Sequence, residues 1–236
     1  MNSQPNVVQC QALSRIYEGE GVPVKALDGV DFAVAKGDFV SLAGPSGSGK
    51  STLLNVIGGL DQPTSGSVIV DGVDLAGLDQ SDLADMRLNK IGFVFQSYNL
   101  IPVLSARENV EFIMQLQGIA AAERRQRALD MLQALGMGDL GDRRPGELSG
   151  GQQQRVAVAR AIVTHPVLLL ADEPSANLDS KTTNELLDLL RMINRDRGVT
   201  IVTATHDPMV MAYATRQVHL RDGRIESDER VAAVAH

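Results

Sequence analysis

The run Gly44-Pro45-Ser46-Gly47-Ser48-Gly49-Lys50-Ser51-Thr52 fits G-x-x-x-x-G-K-[ST], the pattern of a phosphate-binding loop. Its chemistry is anion capture. Glycines let the backbone curl so that several N–H groups point at one phosphate chain. A helix starting at the end of the loop aims its positive dipole end at the same place. Lys50 reaches toward β- and γ-phosphates, and the Ser51 hydroxyl is a ligand for Mg²⁺. Further along, Asp172-Glu173 closes the apolar run Val167-Leu168-Leu169-Leu170-Ala171. In open α/β sheets the ligand lies beyond the carboxyl ends of the strands, so both carboxylates arrive at the nucleotide. Asp172 then holds Mg²⁺ directly or through water. Glu173 addresses the water that attacks the γ-phosphate. The competing reading is a plain Asp-Glu pair at a helix start, which leaves the preceding apolar strand unexplained.

Leu148-Ser149-Gly150-Gly151-Gln152-Gln153-Gln154-Arg155 is the second informative stretch. Ser149 is a good N-cap, and Val156, Val158, Ala159 and Ile162 continue a helix. Two glycines strip this helix start of side chains, as a second anion site requires. A simple capped helix start explains Ser149 but not the paired glycines. Two phosphate-binding devices with one P-loop point to a pocket shared between two chains.

These residues need strands and helices to hold them. Phe39-Val40-Ser41-Leu42-Ala43 reads as a buried strand before the loop, and the residues from Ser51 on read as a helix. Strands are expected over 7–12, 30–34, 66–72 and 91–96, with a Gly-rich turn at Gly19 and Gly21 and a short helix over 81–87. The chain thus opens with a β-rich layer. From about 105 to 135 the spacing of Val110, Ile113, Met114 and Gln117, then Ala128, Leu129, Leu132 and Leu135, is helical. This stretch interrupts an α/β chain and reads as an inserted subdomain, ending in a loop at 141–146. A strand over 167–171, a helix over 184–194 and a strand over 199–204 follow, with a hairpin turning on Asp222-Gly223.

Composition bounds the rest. The 236 residues are 44% hydrophobic, enough for a core in one large or two small domains. A net charge of −7 argues against a nucleic-acid binder. One cysteine, Cys10, excludes an intrachain disulfide framework and a thiolate metal cluster. No long apolar run predicts a membrane span, and Met1-Asn2-Ser3-Gln4-Pro5 lacks a secretory pattern.

The order of these motifs resembles the ATP-binding-cassette (ABC) ATPases over nearly the whole chain. Leu148-Ser149-Gly150-Gly151-Gln152 is similar to the signature of that family. The resemblance implies further site residues. Tyr17 matches the aromatic that stacks on adenine, and Gln96 matches the Q-loop glutamine, which contacts Mg²⁺ or water and moves with the transport subunit. Asp179 matches the D-loop, and His206 the switch histidine at the γ-phosphate. Gln96-Ser97-Tyr98-Asn99-Leu100-Ile101-Pro102, Glu108-Asn109-Val110, Gly58-Gly59-Leu60-Asp61 and Ala171-Asp172-Glu173-Pro174 resemble the lipoprotein-release and macrolide-export branch. That branch usually has Pro-Thr-Gly-Asn-Leu-Asp where this chain has Pro174-Ser175-Ala176-Asn177-Leu178-Asp179, a departure that touches no catalytic role.

The resemblance implies an α/β P-loop NTPase (RecA-like) core with an N-terminal antiparallel β layer and an inserted all-helical subdomain. Residues 1–96 and 156–236 form the core; 97–155 form the helical subdomain. ATP and Mg²⁺ are the expected cofactors. Two chains are expected to close head to tail on ATP, Ser149, Gly150, Gly151 and Gln152 of one facing Lys50 of the other. A membrane-spanning subunit is expected to dock near residues 97–111, placing the chain at the cytoplasmic face of the cell membrane. The alternative is an ABC ATPase acting on DNA or ribosomes; such proteins usually carry coiled coils, zinc inserts or two cassettes, none of which this sequence shows. A regulatory module without turnover is opposed by intact Glu173 and His206.

Overall fold

A computed structural model describes residues 5–18 and 22–231. The turn expected at Gly19 and Gly21, and Met1 to Gln4 of the N-terminal reading, lie outside the described residues. The chain opens with two long strands, β1 (Asn6–Tyr17) and β2 (Val24–Ala35), paired antiparallel. The P-loop strand β3 (Phe39–Ala43) and helix α1 (Lys50–Ile57) follow. Then β4 (Ser65–Val70) and β5 (Val73–Asp74) return to the first sheet, giving the antiparallel order β2-β1-β4-β5. The β layer is therefore completed by strands lying after the P-loop in sequence.

The second sheet is the core that holds the chemistry. Helix α2 (Gln80–Lys90) leads into β6 (Ile91–Phe95). Helices α3 (Ala106–Leu116), α4 (Ala121–Ala134) and α5 (Gly150–Ile162) come next, followed by β7 (Leu168–Asp172), α6 (Ser180–Arg197) and β8 (Thr200–Ala204). Helix α7 (Pro208–Tyr213), β9 (Arg216–Arg221) and β10 (Arg224–Arg230) end the described chain. The order is β10-β9-β3-β8-β7-β6, parallel from β9 to β6 with β10 antiparallel at the edge.

Period-two alternation explains why the central strands are apolar at nearly every position. On β7, Leu168 and Leu170 join the core shared with α1 and the antiparallel layer. Leu169 and Ala171 join the opposite core, with α3 to α7. The sheet is thus buried on both faces, and α1 lies between the two sheets.

The helical pattern expected across 105–135 is interrupted. Gly118, at φ 76, takes the left-handed position just past the C-cap of α3, and the chain restarts at α4. Val110, Met114, Ala128 and Leu132 are buried, as their spacing indicated. The boundary drawn at 155/156 falls inside α5, which begins beside α3 and α4 and continues under β6. Helix α7 has no counterpart in the sequence reading: its six residues give too little periodicity to register.

Cys10 is buried on β1, and its thiol is pushed up to about 12, first by burial and then by the charge of Asp31. We expect maleimide reagents to label it only on unfolding, because the thiolate is the nucleophile. Mass spectrometry of native protein after brief exposure checks this; full native labelling would place Cys10 at the surface.

Candidate active site

Strand β3, buried along its whole length, delivers the chain to Gly44, and α1 starts at Lys50. At Gly49 φ is 103, and a Cβ there would lie 2.5 Å from the Ala26 carbonyl oxygen, so only glycine passes under β2. The Lys50 side chain is folded inward, its ammonium donating to the carbonyls of Gly44 (2.8 Å) and Pro45 (2.9 Å). The Ser48 hydroxyl is buried with no hydrogen-bond partner among the described residues.

Register then gathers the carboxylates. Asp172, the last residue of β7, pairs with Phe95 on one side and Ala204 on the other. The residues that follow these three, Glu173, Gln96 and Thr205, therefore emerge together at one edge of the sheet. Ser51 Oγ donates to Asp172 Oδ1 at 3.0 Å. Glu173 sits at φ 46, an uncommon backbone for a non-glycine residue, held by its N–H donating to the Ala204 carbonyl at 2.9 Å. Its Oε1 lies 2.7 Å from His206 Nδ1, and its Oε2 accepts from Thr205 Oγ1 at 3.4 Å. With Glu173 ionised, a carboxylate only accepts, and His206 Nδ1 is then the donor of that contact.

A cleft of about 940 Å³ brings together Tyr17, Ser46, Gly47, Ser48, Gly49, Lys50, Ser51, Thr52, Gln96, Glu173 and His206. Val24, Lys25, Ala26, Pro45, Ala176 and Asp222 complete its wall; Lys25 and Ala26 carried no site motif, since their place depends on β2 folding over the loop.

The site's electrostatics fit a divalent cation. Burial pushes the Asp172 carboxyl above the usual carboxylate range; Ser51 and Lys50 pull the other way, and Glu173 adds to the rise. Ser51 Oγ and Asp172 Oδ1 are hard oxygen donors side by side, as Mg²⁺ selects. No cluster of three or more His, Cys, Asp or Glu suited to a metal occurs among the described residues, and Mg²⁺ at nucleotide sites is typically held by one or two protein oxygens plus phosphates.

Ser149, Gly151 and Gln152 lie elsewhere, in a separate hollow with Arg155, Thr182 and Glu185. Ser149 and Gln152 form a reciprocal capping box at the start of α5. Gly151 has an intrachain reason that the sequence did not reveal. A Cβ on Gly151 would lie 2.3 Å from Thr182 Cγ2 on α6, and one on Gly150 would lie 2.9 Å from the Tyr98 hydroxyl. Asp179 caps α6 through the N–H groups of Lys181 and Thr182 and accepts from the Thr182 hydroxyl at 2.7 Å. Two sets of hydrogen bonds hold the segment that follows β6. The Asn177 amide donates to the Gln96 carbonyl at 3.0 Å, and Arg160 of α5 donates to the carbonyls of Tyr98 and Asn99. Tyr98 and Asn99 both have positive φ, so the chain turns sharply after Gln96.

Gly151→Val is expected to lower the melting temperature by roughly 2–10 °C, an overpacking cost of about 1–3 kcal/mol in a chain of this size. Pairing it with Thr182→Ala should restore most of the loss. A thermal melt of both variants checks this; no drop in the single variant would show that α5 and α6 separate freely.

The family model for ABC transporters matches residues 27–176. This chain belongs to the ABC transporter family. It is an ABC ATPase that binds ATP. An ABC transporter ATP-binding protein of Thermotoga maritima is 50% identical over 220 residues, covering 93% of this chain and 94% of that one. The macrolide export ATP-binding/permease protein MacB of Hyphomonas neptunium is 46% identical over 224 residues, covering 95% of this chain but only 35% of that protein's length. The solved ATP-binding cassette MJ0796, a dimer bound to ADP and Pi in a post-hydrolysis state, superposes with a TM-score of 0.89 at 42% identity, covering 96% of this chain and all of that one. MJ0796 comes from Methanocaldococcus jannaschii. Among the described residues no helix of this ABC ATPase is long and apolar enough to cross a membrane.

Proposed function

We propose that two copies of this chain close head to tail on ATP and Mg²⁺ and, through hydrolysis, drive a membrane-spanning partner of the lipoprotein-release or macrolide-export kind. The observation that carries the proposal is the convergence of Lys50, Ser51, Gln96, Glu173 and His206 on one cleft while the Ser149 hollow stands apart. A phosphate-binding helix start with no phosphate site of its own is suited to the nucleotide of a second copy.

In this reading Lys50 and the N–H groups of residues 46–52 bind the triphosphate, and Ser48 Oγ, otherwise unpartnered, gains an acceptor. Ser51 and Asp172 would hold Mg²⁺, with Gln96 as a further ligand or water holder, and the ion would supply charge neutralisation for the phosphate oxygens. Glu173 takes the proton of the attacking water, and His206 orients it through Oε1 while facing the γ-phosphate. Tyr17 stacks on the base. Ser149, Gly150, Gly151, Gln152 and Asp179 complete the partner copy's site. Residues 1–96 and 156–236 act as the core, and 97–155 as the helical subdomain that moves against it.

The membrane partner docks along residues 97–111, where Val103 is 72% exposed. In this reading the chain works at the cytoplasmic face of the membrane. MacB, whose name joins ATP-binding and permease functions, and the dimeric cassette MJ0796 support the branch and the dimer. Affinity purification from detergent-solubilised host membranes tests the reading. Recovery of a multi-span protein is expected; recovery of nucleic acid or ribosomes alone would replace transport with the DNA- or ribosome-associated role.

A further inference from the structure

The Tyr17 ring is clasped. Its hydroxyl donates to Asp61 Oδ2 at 2.7 Å, and the Arg15 guanidinium lies over the ring, 4.6 Å from its centroid. Arg15 is forked onto the same carboxylate, Nε to Oδ2 at 3.0 Å and Nη2 to Oδ1 at 2.8 Å. Asp61, in the turn after α1, also accepts from the Gln62 N–H at 2.8 Å. Three side chains from two separate segments thus close one circuit: cation on ring, ring hydroxyl on carboxylate, carboxylate on cation. Tyr17 lines the nucleotide cleft, whereas neither Arg15 nor Asp61 does. The clasp is therefore made by side chains outside the cleft wall, with Arg15 covering one face of the ring.

We propose that Arg15 and Asp61 are positioning residues that set nucleobase selectivity, by holding Tyr17 so that one ring face is presented to a purine. The inference rests on the reading of Tyr17 as the base platform. Tyr17 is 39% exposed, and an exposed side chain free to rotate loses that freedom on stacking; here the loss is taken at folding, before the nucleotide arrives. The cation behind the ring also draws its π-density rearward. The front face is then a poorer partner for a cation and a better one for a neutral, electron-rich base. A purine covers more of that face than a pyrimidine does, so a fixed platform widens the gap between ATP and CTP.

The test is equilibrium binding of ATP, CTP and inorganic tripolyphosphate in EDTA, where hydrolysis does not run. Arg15→Ala and Asp61→Asn should each weaken ATP binding by about 3–10-fold, the cost of immobilising one side chain. The ATP-over-CTP preference should shrink by a similar factor while tripolyphosphate affinity stays unchanged. Arg15→Lys, which keeps a cation but loses the fork, should fall between Arg15→Ala and the parent. In the Tyr17→Ala background, Arg15→Ala should have no further effect, because Arg15 acts only through the ring. Equal losses for ATP and tripolyphosphate would overturn the proposal in favour of a general loop defect. Base preference sensitive to Tyr17→Ala but not to Arg15→Ala would overturn the clasp alone. Base preference insensitive to Tyr17→Ala would remove the platform reading itself, and the clasp with it.

Discussion

Glu173→Gln should cut ATP turnover by about 10²–10⁴-fold, the contribution of a positioned general base, while leaving ATP affinity unchanged. The substitution keeps the shape of the side chain and removes only its ability to take a proton. His206 Nδ1 still finds an acceptor, because the Gln carbonyl replaces Oε1 of the present 2.7 Å contact. The backbone at φ 46 is anchored by the N–H bond to Ala204, which the side chain does not touch, so the turn persists. Binding and chemistry should therefore separate cleanly. If ATP joins two copies and hydrolysis parts them, the variant also accumulates as an ATP-dependent dimer. Steady-state phosphate release and size-exclusion chromatography with and without ATP check both halves. An unchanged rate would take the base role from Glu173, and a lost rate without a dimer would separate hydrolysis from association.

The sequence made legible whatever is encoded over a few neighbouring residues. The P-loop needs a strand, a glycine-rich turn and a helix start in unbroken succession, and all three are consecutive in β3, residues 44–49 and α1. The apolar run ending in Asp172-Glu173 was equally local, and the parallel register of β6, β7 and β8 turned it into a shared edge with Gln96 and His206. What stayed hidden depends on distant segments meeting. Arg15 and Asp61 are separated by β2, β3, the P-loop and α1, and nothing in either neighbourhood marks a clasp. Gly151 looked bare for the sake of an anion, yet Thr182 also requires it small, a constraint visible only once α5 and α6 pack. Gly118 is a milder case. A helical period on both sides masks a break, because only backbone geometry distinguishes a tolerated glycine from one at φ 76.

Lys50→Ala should weaken ATP and ADP binding by at least about 10–100-fold, the worth of a hydrogen bond to a charged group at roughly 1.5–3 kcal/mol. Two effects must be told apart. Lys50 is 8% exposed as a residue and its ammonium bonds the carbonyls of Gly44 and Pro45, so its removal also takes two acceptors' partner from the loop. A collapse of the loop would harm every nucleotide alike. Loss of the phosphate's charge partner would harm only ligands that reach Lys50 with a β- or γ-phosphate. AMP separates the two, since it keeps the base, the ribose and one phosphate but lacks the β- and γ-phosphates. We expect calorimetry to show ATP and ADP affinity falling and AMP affinity holding. Parallel losses for AMP would make Lys50 a strut of the loop rather than a phosphate ligand. Undiminished ATP affinity would overturn the phosphate site itself. Lys50→Arg should not rescue binding, because its planar fork needs more room than a compact ammonium in a buried loop.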